Sequence, residues 1–229
     1  MLESILYGLL LTLSLTTGSL LIGFLLAILW VYCLGTSYKI VTMPIRSFIY
    51  FTRSVPLLVQ IFMFYYGLPQ LIGESTFLFW DIIQHPLFCA LFILSLNSSA
   101  YTAVLLESNL QSISKGEKDA AKILHLSYFH YMKNIVFPRL FSSLGPAYSN
   151  EVLMVLKSTS LVGTITLIDL MAVTKDLISK SYLTIEFLIM AGFLYLLLAG
   201  FLLTALYFIQ KYVPNFWNAV TLIQRQQLD

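Results

Sequence analysis

Charge is scarce in this 229-residue chain. Asp, Glu, Lys and Arg make up 10% of it, against about 25% in ordinary soluble domains. Residues AVILMFWYC make up 59%, above the usual range of about 45–50%. That balance excludes a soluble enzyme and a disordered tail. The net charge of +2 is too small to hold a polyanion, which excludes a nucleic-acid binder. Cysteine is nearly absent too. Cys33 and Cys89 both lie in apolar runs, where a lone thiol behaves as a small hydrophobe and not as half of a disulfide or metal pair. No GxxxxGK[ST], GxGxxG or HExxH motif occurs, nor a Ser/His/Asp set of plausible geometry,. No catalytic residue, metal or cofactor is therefore expected. If ATP drives this protein, another subunit must bind it. Met1-Leu2-Glu3 lacks the positive flank of a cleaved signal peptide, so the first apolar stretch counts as a span.

What the chain has in abundance is uninterrupted apolar sequence. A polytopic membrane protein must satisfy its backbone with helices or a closed barrel, and long unbroken runs select helices. The class predicted is all-α. Charge-free runs cover Ser4–Tyr38, Ser54–Gly73, Ile82–Leu106 and Phe187–Gln210. Each reaches the roughly 20 residues that cross a bilayer. A fifth span falls on Leu140–Ile168, which carries Glu151 and Lys157, Gly145-Pro146 near its start, and Ser158-Thr159-Ser160 in its second half. It is expected to be broken. Five spans make one transmembrane domain over residues 1–229.

Basic residues orient the spans. With the N-terminus periplasmic, ten of the 13 Lys and Arg fall in inner segments, Lys175 and Lys180 fall outside, and Lys157 is intramembrane. The positive-inside rule then places the C-terminus in the cytoplasm. The outer loop Gly73–His85 holds Phe77, Phe79 and Trp80, an aromatic belt or a docking surface.

The inner segment, about 108–139, is longer than a helix connection needs. Ser114-Lys115-Gly116-Glu117 fits a capping box. Glu117–Leu124 reads as a short helix with small Ala120 and Ala121, His125-Leu126-Ser127 as a turn, and Ser127 as a second cap. Pro138 is expected to stop the second helix. The product is a helix–turn–helix projecting into the cytoplasm. From periodicity alone, it either seats on a partner or lies on the membrane.

Three blocks resemble one family, the membrane subunits of bacterial ABC importers for polar amino acids. The first is Arg53-Ser-Val-Pro56-Leu-Leu-Val-Gln60 with Phe64-Tyr-Tyr-Gly67-Leu-Pro69. The second, Gly116-Glu117-Lys-Asp119-Ala120-Ala121-Lys-Ile-Leu124-His125, is similar to the family's EAA loop, with Asp119 in place of Glu and His125 in place of Gly. The third is Asn150-Glu151 through Lys157-Ser158-Thr159-Ser160-Leu161. With Asn97-Ser-Ser-Ala-Tyr101, the set looks closest to arginine-transporting permeases. Many relatives carry Y-x-A-E-x-x-R in span three, where this chain has Val104 and Glu107, so a role tied to those charges does not carry over.

The resemblance implies a type I ABC importer permease fold with five spans and an inner-membrane location. It implies a second permease subunit, identical or related, a cytoplasmic ABC ATPase dimer and a periplasmic solute-binding protein. It also implies a basic amino acid as cargo, arginine favoured. Gly116, Glu117, Asp119, Ala120, Ala121, Leu124, His125 and Leu126 would couple to the ATPase, with Leu124, Leu126 and Tyr128 filling its groove.

Two charges in one span need a reason, since each costs roughly 2.5–3.5 kcal/mol at the bilayer centre. Glu151 and Lys157 are six residues apart, about 120° off one helix face, so they do not pair within an unbroken helix. The expectation is a water-filled cavity at the subunit interface. There Glu151 receives a cationic side chain through paired hydrogen bonds. Asn150 neighbours it, Ser158, Thr159 and Ser160 hold the α-carboxylate with N–H groups freed at a break, and Lys157 neutralises it or anchors the loop. Two competing functions stay open. One is an ion-driven secondary transporter, disfavoured because such folds contain paired repeats. The other is a non-transporting scaffold, which has no need of charges inside a span.

Overall fold

The computed structural model describes residues 1–72 and 83–226, and all regular structure among them is helical. Phe77, Phe79 and Trp80 lie outside the described residues.

The charge-free runs become the long helices. They are α1 (Leu2–Leu34), α5 (Pro86–Gln111) and α10 (Thr184–Gln226); α1, α5 and the Thr184–Tyr212 part of α10 are each long and apolar enough to cross a membrane. Pro86 opens α5 in its first turn, where a missing N–H costs nothing,. The second run is built differently. α2 (Lys39–Ser54) is followed by α3 (Leu57–Phe62), a π-turn at Met63–Gly67 and α4 (Leu68–Ile72). The chain bends by 110° between Ser54 and Leu57, and the two halves together are long and apolar enough for one crossing.

The segment after α5 forms α6 (Lys115–Ile123) and α7 (Tyr128–Tyr131). A π-turn at Met132–Val136 leads into α8 (Phe137–Ser158). A 3₁₀ segment follows at Thr159–Ile165, and then α9 (Leu170–Ser181). Two expected helix stops fail here. Pro138 ends nothing, because the preceding π-turn, closed by Phe137 N–H onto the Met132 carbonyl, puts Pro138 in the first turn of α8 where it needs no donor. Gly145-Pro146 lies inside α8 without interrupting it. Gln210 of α10 donates to the Gly145 carbonyl at 3.2 Å. α8 alone has 22 residues, about 33 Å of helix.

α1 is the spine. Its Leu15 packs with Ile61, Leu94 and Val162, its Ala27 with Ile49, Ala100 and Ala103, and its Leu20 with Val152, Leu156 and Leu202. Small residues let α1 and α5 close on each other: a Cβ at Gly23 would sit 3.0 Å from both the Ser95 carbonyl and the Ser98 Cβ. Close approach of this kind drives association where lipid removes the hydrophobic incentive. Trp30 adds a cross-helix bond, its indole N–H donating to Ser99 Oγ at 3.1 Å. The outward faces of α1 and α10 carry Leu21, Leu25, Phe193, Leu196 and Phe201, a surface suited to hydrocarbon.

Candidate substrate pathway and coupling hairpin

The hairpin of α6 and α7 is held by its own side chains. Ser114 and Glu117 form the expected capping box: the Ser114 N–H donates to Glu117 Oε2 at 2.9 Å and the Glu117 N–H donates to Ser114 Oγ at 3.2 Å,. The helix ends at a Schellman motif. The Leu126 N–H reaches the Ala121 carbonyl at 3.1 Å and the His125 N–H reaches Lys122 at 3.0 Å,. His125 takes the left-handed position with φ 49°, the conformation that glycine supplies at lower cost. Its ring Nδ1 lies 2.9 Å from the Ile123 carbonyl. Ser127 caps the next helix, with the His130 N–H 3.4 Å from its Oγ.

Ala121 is buried against its own chain. Among the described residues, Leu124 is exposed, as are Ile123 and Phe129, which sequence reasoning passed over. Leu126 is half-buried. Asp119 is exposed, 3.7 Å from Lys122, and Gly116 opens α6 beside Ser114.

α8 separates its polar residues by face. Pro146, Asn150, Met154 and Lys157 are exposed at spacings of four, four and three, so they form one stripe along the helix. The Asn150 amide donates to Met154 Sδ at 3.7 Å. An exposed lysine and asparagine on a helix of spanning length do not suit hydrocarbon. Glu151, one residue on, is turned the other way and only 4% exposed. Ser98 of α5 is its near neighbour, and the Arg53 guanidinium is within electrostatic reach. No cation among the described residues lies within ion-pair distance of it. The expected outward-facing Glu151 is thus enclosed between α5 and α8, because residues 152, 155 and 156 of the same face pack on α1 and α10.

The expected break comes after Ser158, but it frees no donors there. The Thr159 N–H is bonded to the Val155 carbonyl. Thr159 Oγ1 and Ser160 Oγ donate at 2.7 Å to the Leu156 and Lys157 carbonyls. Hydroxyls that bond back to their own turn are satisfied locally, and the half-buried Ser158 is left as the hydroxyl of the trio without such a bond among the described contacts.

The true discontinuity lies further on. Thr166 ends the 3₁₀ segment in the left-handed conformation with φ 70°. Asp169 then caps α9, accepting from the Met171 and Ala172 N–H groups at 3.1 Å each,. The Leu170 N–H donates to Thr12 Oγ1 of α1 at 3.1 Å, and the Tyr195 hydroxyl of α10 donates to Asp169 Oδ2 at 3.5 Å. This buried knot fixes the broken segment to two neighbouring helices. Gly163 completes it: a Cβ there would be 2.9 Å from Asp169 Oδ1. Gly163→Val is expected to destabilise the fold by about 1–3 kcal/mol, the cost of overpacking. An unchanged thermal midpoint in detergent would contradict this reading. Asp169 was legible in sequence as an Asp just before a helical run, a signal the charge-gap parsing did not use.

The span-three cluster serves packing. Ser99 accepts from Trp30, Ser98 lies against Gly23, and the Tyr101 hydroxyl donates to the Arg53 carbonyl at 3.4 Å. Arg46 and Glu107 pair at 3.4 Å, which gives the departure from the usual span-three charges a local partner.

Comparison with known proteins agrees with this architecture. Residues 19–215 match the family described as the binding-protein-dependent transport system inner membrane component. The nopaline transport system permease protein of Agrobacterium fabrum is 39% identical over 186 residues, 81% of this chain and 77% of the relative. The arginine ABC transporter permease protein of Haemophilus influenzae is 32% identical over 205 residues, 90% of each chain. A crystal structure of an amino acid ABC transporter with histidines superposes with a TM-score of 0.78 at 25% identity, covering 92% of this chain and 94% of that one. A chain of apolar helices with a projecting capped hairpin, matched over most of its length, therefore belongs to the binding-protein-dependent transport system inner membrane components, as an amino acid ABC importer permease.

Proposed function

We propose that this permease imports a basic amino acid, with arginine preferred, across a bacterial inner membrane. It works as one of two permease subunits, identical or related, over a cytoplasmic ABC ATPase dimer, and a periplasmic solute-binding protein delivers the cargo. The N-terminus is periplasmic, the C-terminus is cytoplasmic, and α8 is the fifth span. The observation that carries this reading is the outward stripe of α8, which bears Asn150 and Lys157 where the outward faces of the long helices α1 and α10 are apolar. A stripe bearing Asn150 and Lys157 belongs at a subunit interface around water. Lys157 takes the α-carboxylate there, with Ser158 and Asn150 as hydrogen-bonding neighbours. Thr159 and Ser160 shape the turn and leave the carboxylate to Lys157.

Glu151 selects the cationic side chain. Enclosed as it is, it meets cargo only when α8 shifts against α5, the rigid-body displacement that alternating access supplies. The hairpin is the handle: Leu124 with Ile123 and Phe129 seats on the ATPase, and the capping box and Schellman turn keep it stiff. A preference for arginine is supported by relatives whose names include arginine transport. The test is ATP hydrolysis by the assembled transporter with its binding protein. Arginine is expected to stimulate it more than lysine or histidine, and glutamine least. Equal stimulation by glutamine would refute a cation-selecting Glu151.

A further inference from the structure

The bend between α2 and α3 raises a question of donors. In an unbroken helix the Thr52 carbonyl accepts from the N–H of residue 56, and residue 56 is proline,. Val55 and Pro56 are extended, with ψ of 131° and 134°, so the Val55 carbonyl leaves the helical ladder as well. Both carbonyls face a single side chain. The Gln60 amide nitrogen, one turn into α3, donates to Thr52 O at 2.8 Å and to Val55 O at 2.8 Å. An amide NH₂ has two hydrogens and both are used. The bond partners also fix which way the amide points, since two carbonyls demand a nitrogen.

The two halves are anchored separately. Tyr101 of α5 holds the α2 side through the Arg53 carbonyl, with the Arg53 guanidinium 5.1 Å above its ring. Ile61 of α3 is fully buried in the cluster of Leu15, Leu94 and Val162. At the far end, Tyr66 of the π-turn donates to the Thr164 carbonyl of the 3₁₀ segment at 3.0 Å. The angle at Pro56 therefore sets where Tyr66 meets the broken part of the polar span.

We propose that Gln60 is a positioning residue for transport: its amide supplies the donors that Pro56 cannot, fixes the bend, and so seats Tyr66 on the 3₁₀ segment beyond α8. It does not touch cargo. For its consequence in uptake this rests on the transport reading above; for the bend itself it does not.

Three substitutions separate donor chemistry from size and polarity. Gln60→Leu keeps the bulk and has no donor. Gln60→Glu keeps the shape and turns acceptors toward two carbonyls. Gln60→Lys brings three donors. In the assembled transporter with its ATPase, in nanodiscs, spin labels go at Tyr50→Cys and Met63→Cys, both exposed positions on either side of the bend, with Cys33 and Cys89 replaced. The label separation is expected to match the parent in Gln60→Lys, and to shift or broaden by several ångströms in Gln60→Leu and Gln60→Glu. Uptake is expected to follow, near parental in Gln60→Lys and lower by about tenfold in the other two. Tyr66→Phe, which removes one hydroxyl, should lower uptake with the separation unchanged.

A parental separation in both Gln60→Leu and Gln60→Glu overturns the proposal. So does a changed separation with uptake intact. A parent transporter that accumulates nothing while the separations follow the donor pattern would count against the transport reading and leave the hydrogen-bond assignment standing.

Discussion

A transporter carrying Leu124→Asp and Phe129→Asp is expected to lose its ATPase on purification and to retain less than about one-hundredth of its uptake. Leu124 and Phe129 are exposed apolar side chains on the projecting hairpin. They are 70% and 68% exposed. Apolar anchors at protein interfaces contribute about 2–4 kcal/mol each when truncated, and a carboxylate forced into the same groove costs more. Two such losses take a stable complex below the concentration at which it holds together. The contrast lies one turn away. Asp119 and Lys122 form an exposed pair at 3.7 Å, and exposed pairs are worth at most about 1 kcal/mol. Lys122→Ala, which breaks this pair and leaves Asp119 in place, should therefore leave assembly nearly intact,. Co-purification at equal expression is the measurement. Retention of the ATPase by the double aspartate variant would mean that the hairpin seats elsewhere. A hairpin that lies on the membrane would instead show a defect in insertion.

Glu151→Gln is expected to raise the arginine concentration for half-maximal uptake by about 10–100-fold, while the chain assembles normally. A charge-assisted hydrogen bond is worth about 1.5–3 kcal/mol, and glutamine keeps the volume while losing the charge. Lys157→Ala should differ in kind. It removes the proposed partner of the α-carboxylate, which every amino acid carries, so uptake falls without a change in preference among side chains. Glu151→Gln alone should narrow the gap between arginine and glutamine. Competition by unlabelled amino acids reads both effects. Unaltered arginine uptake in Glu151→Gln would leave the buried carboxylate with a packing role only.

These expectations show what a linear sequence carries and what it does not. The long apolar helices were legible because charge is so expensive in hydrocarbon that its gaps mark them,. The capping box at Ser114 and Glu117 was legible because it is a local pattern with a local partner. The turn at His125 was legible, but its left-handed backbone was not, since a histidine stands where glycine would have signalled it,. Proline misled. Pro138 and Pro146 look like stops, yet a π-turn absorbs the first, and the second is carried within a helix that Gln210 braces from α10. Such compensation comes from residues distant in sequence.

The seven-residue spacing of Asn150 and Lys157 put them on one face. Nothing in the sequence said which face turned outward, and Glu151 went inward because Val152, Val155 and Leu156 needed burial. Gln60 shows the same limit. Its two acceptors exist only once Pro56 has bent the chain.

The central claim is that this chain conducts amino acid but has no energy source of its own. The decisive measurement is accumulation of labelled arginine in proteoliposomes against a gradient. Four preparations are compared: the permease alone with an imposed ion gradient, the permease with its ATPase, the same with the solute-binding protein, and the last with ATP inside. Concentrative uptake in the fourth alone is the result predicted. Uphill uptake by the permease alone would contradict the account.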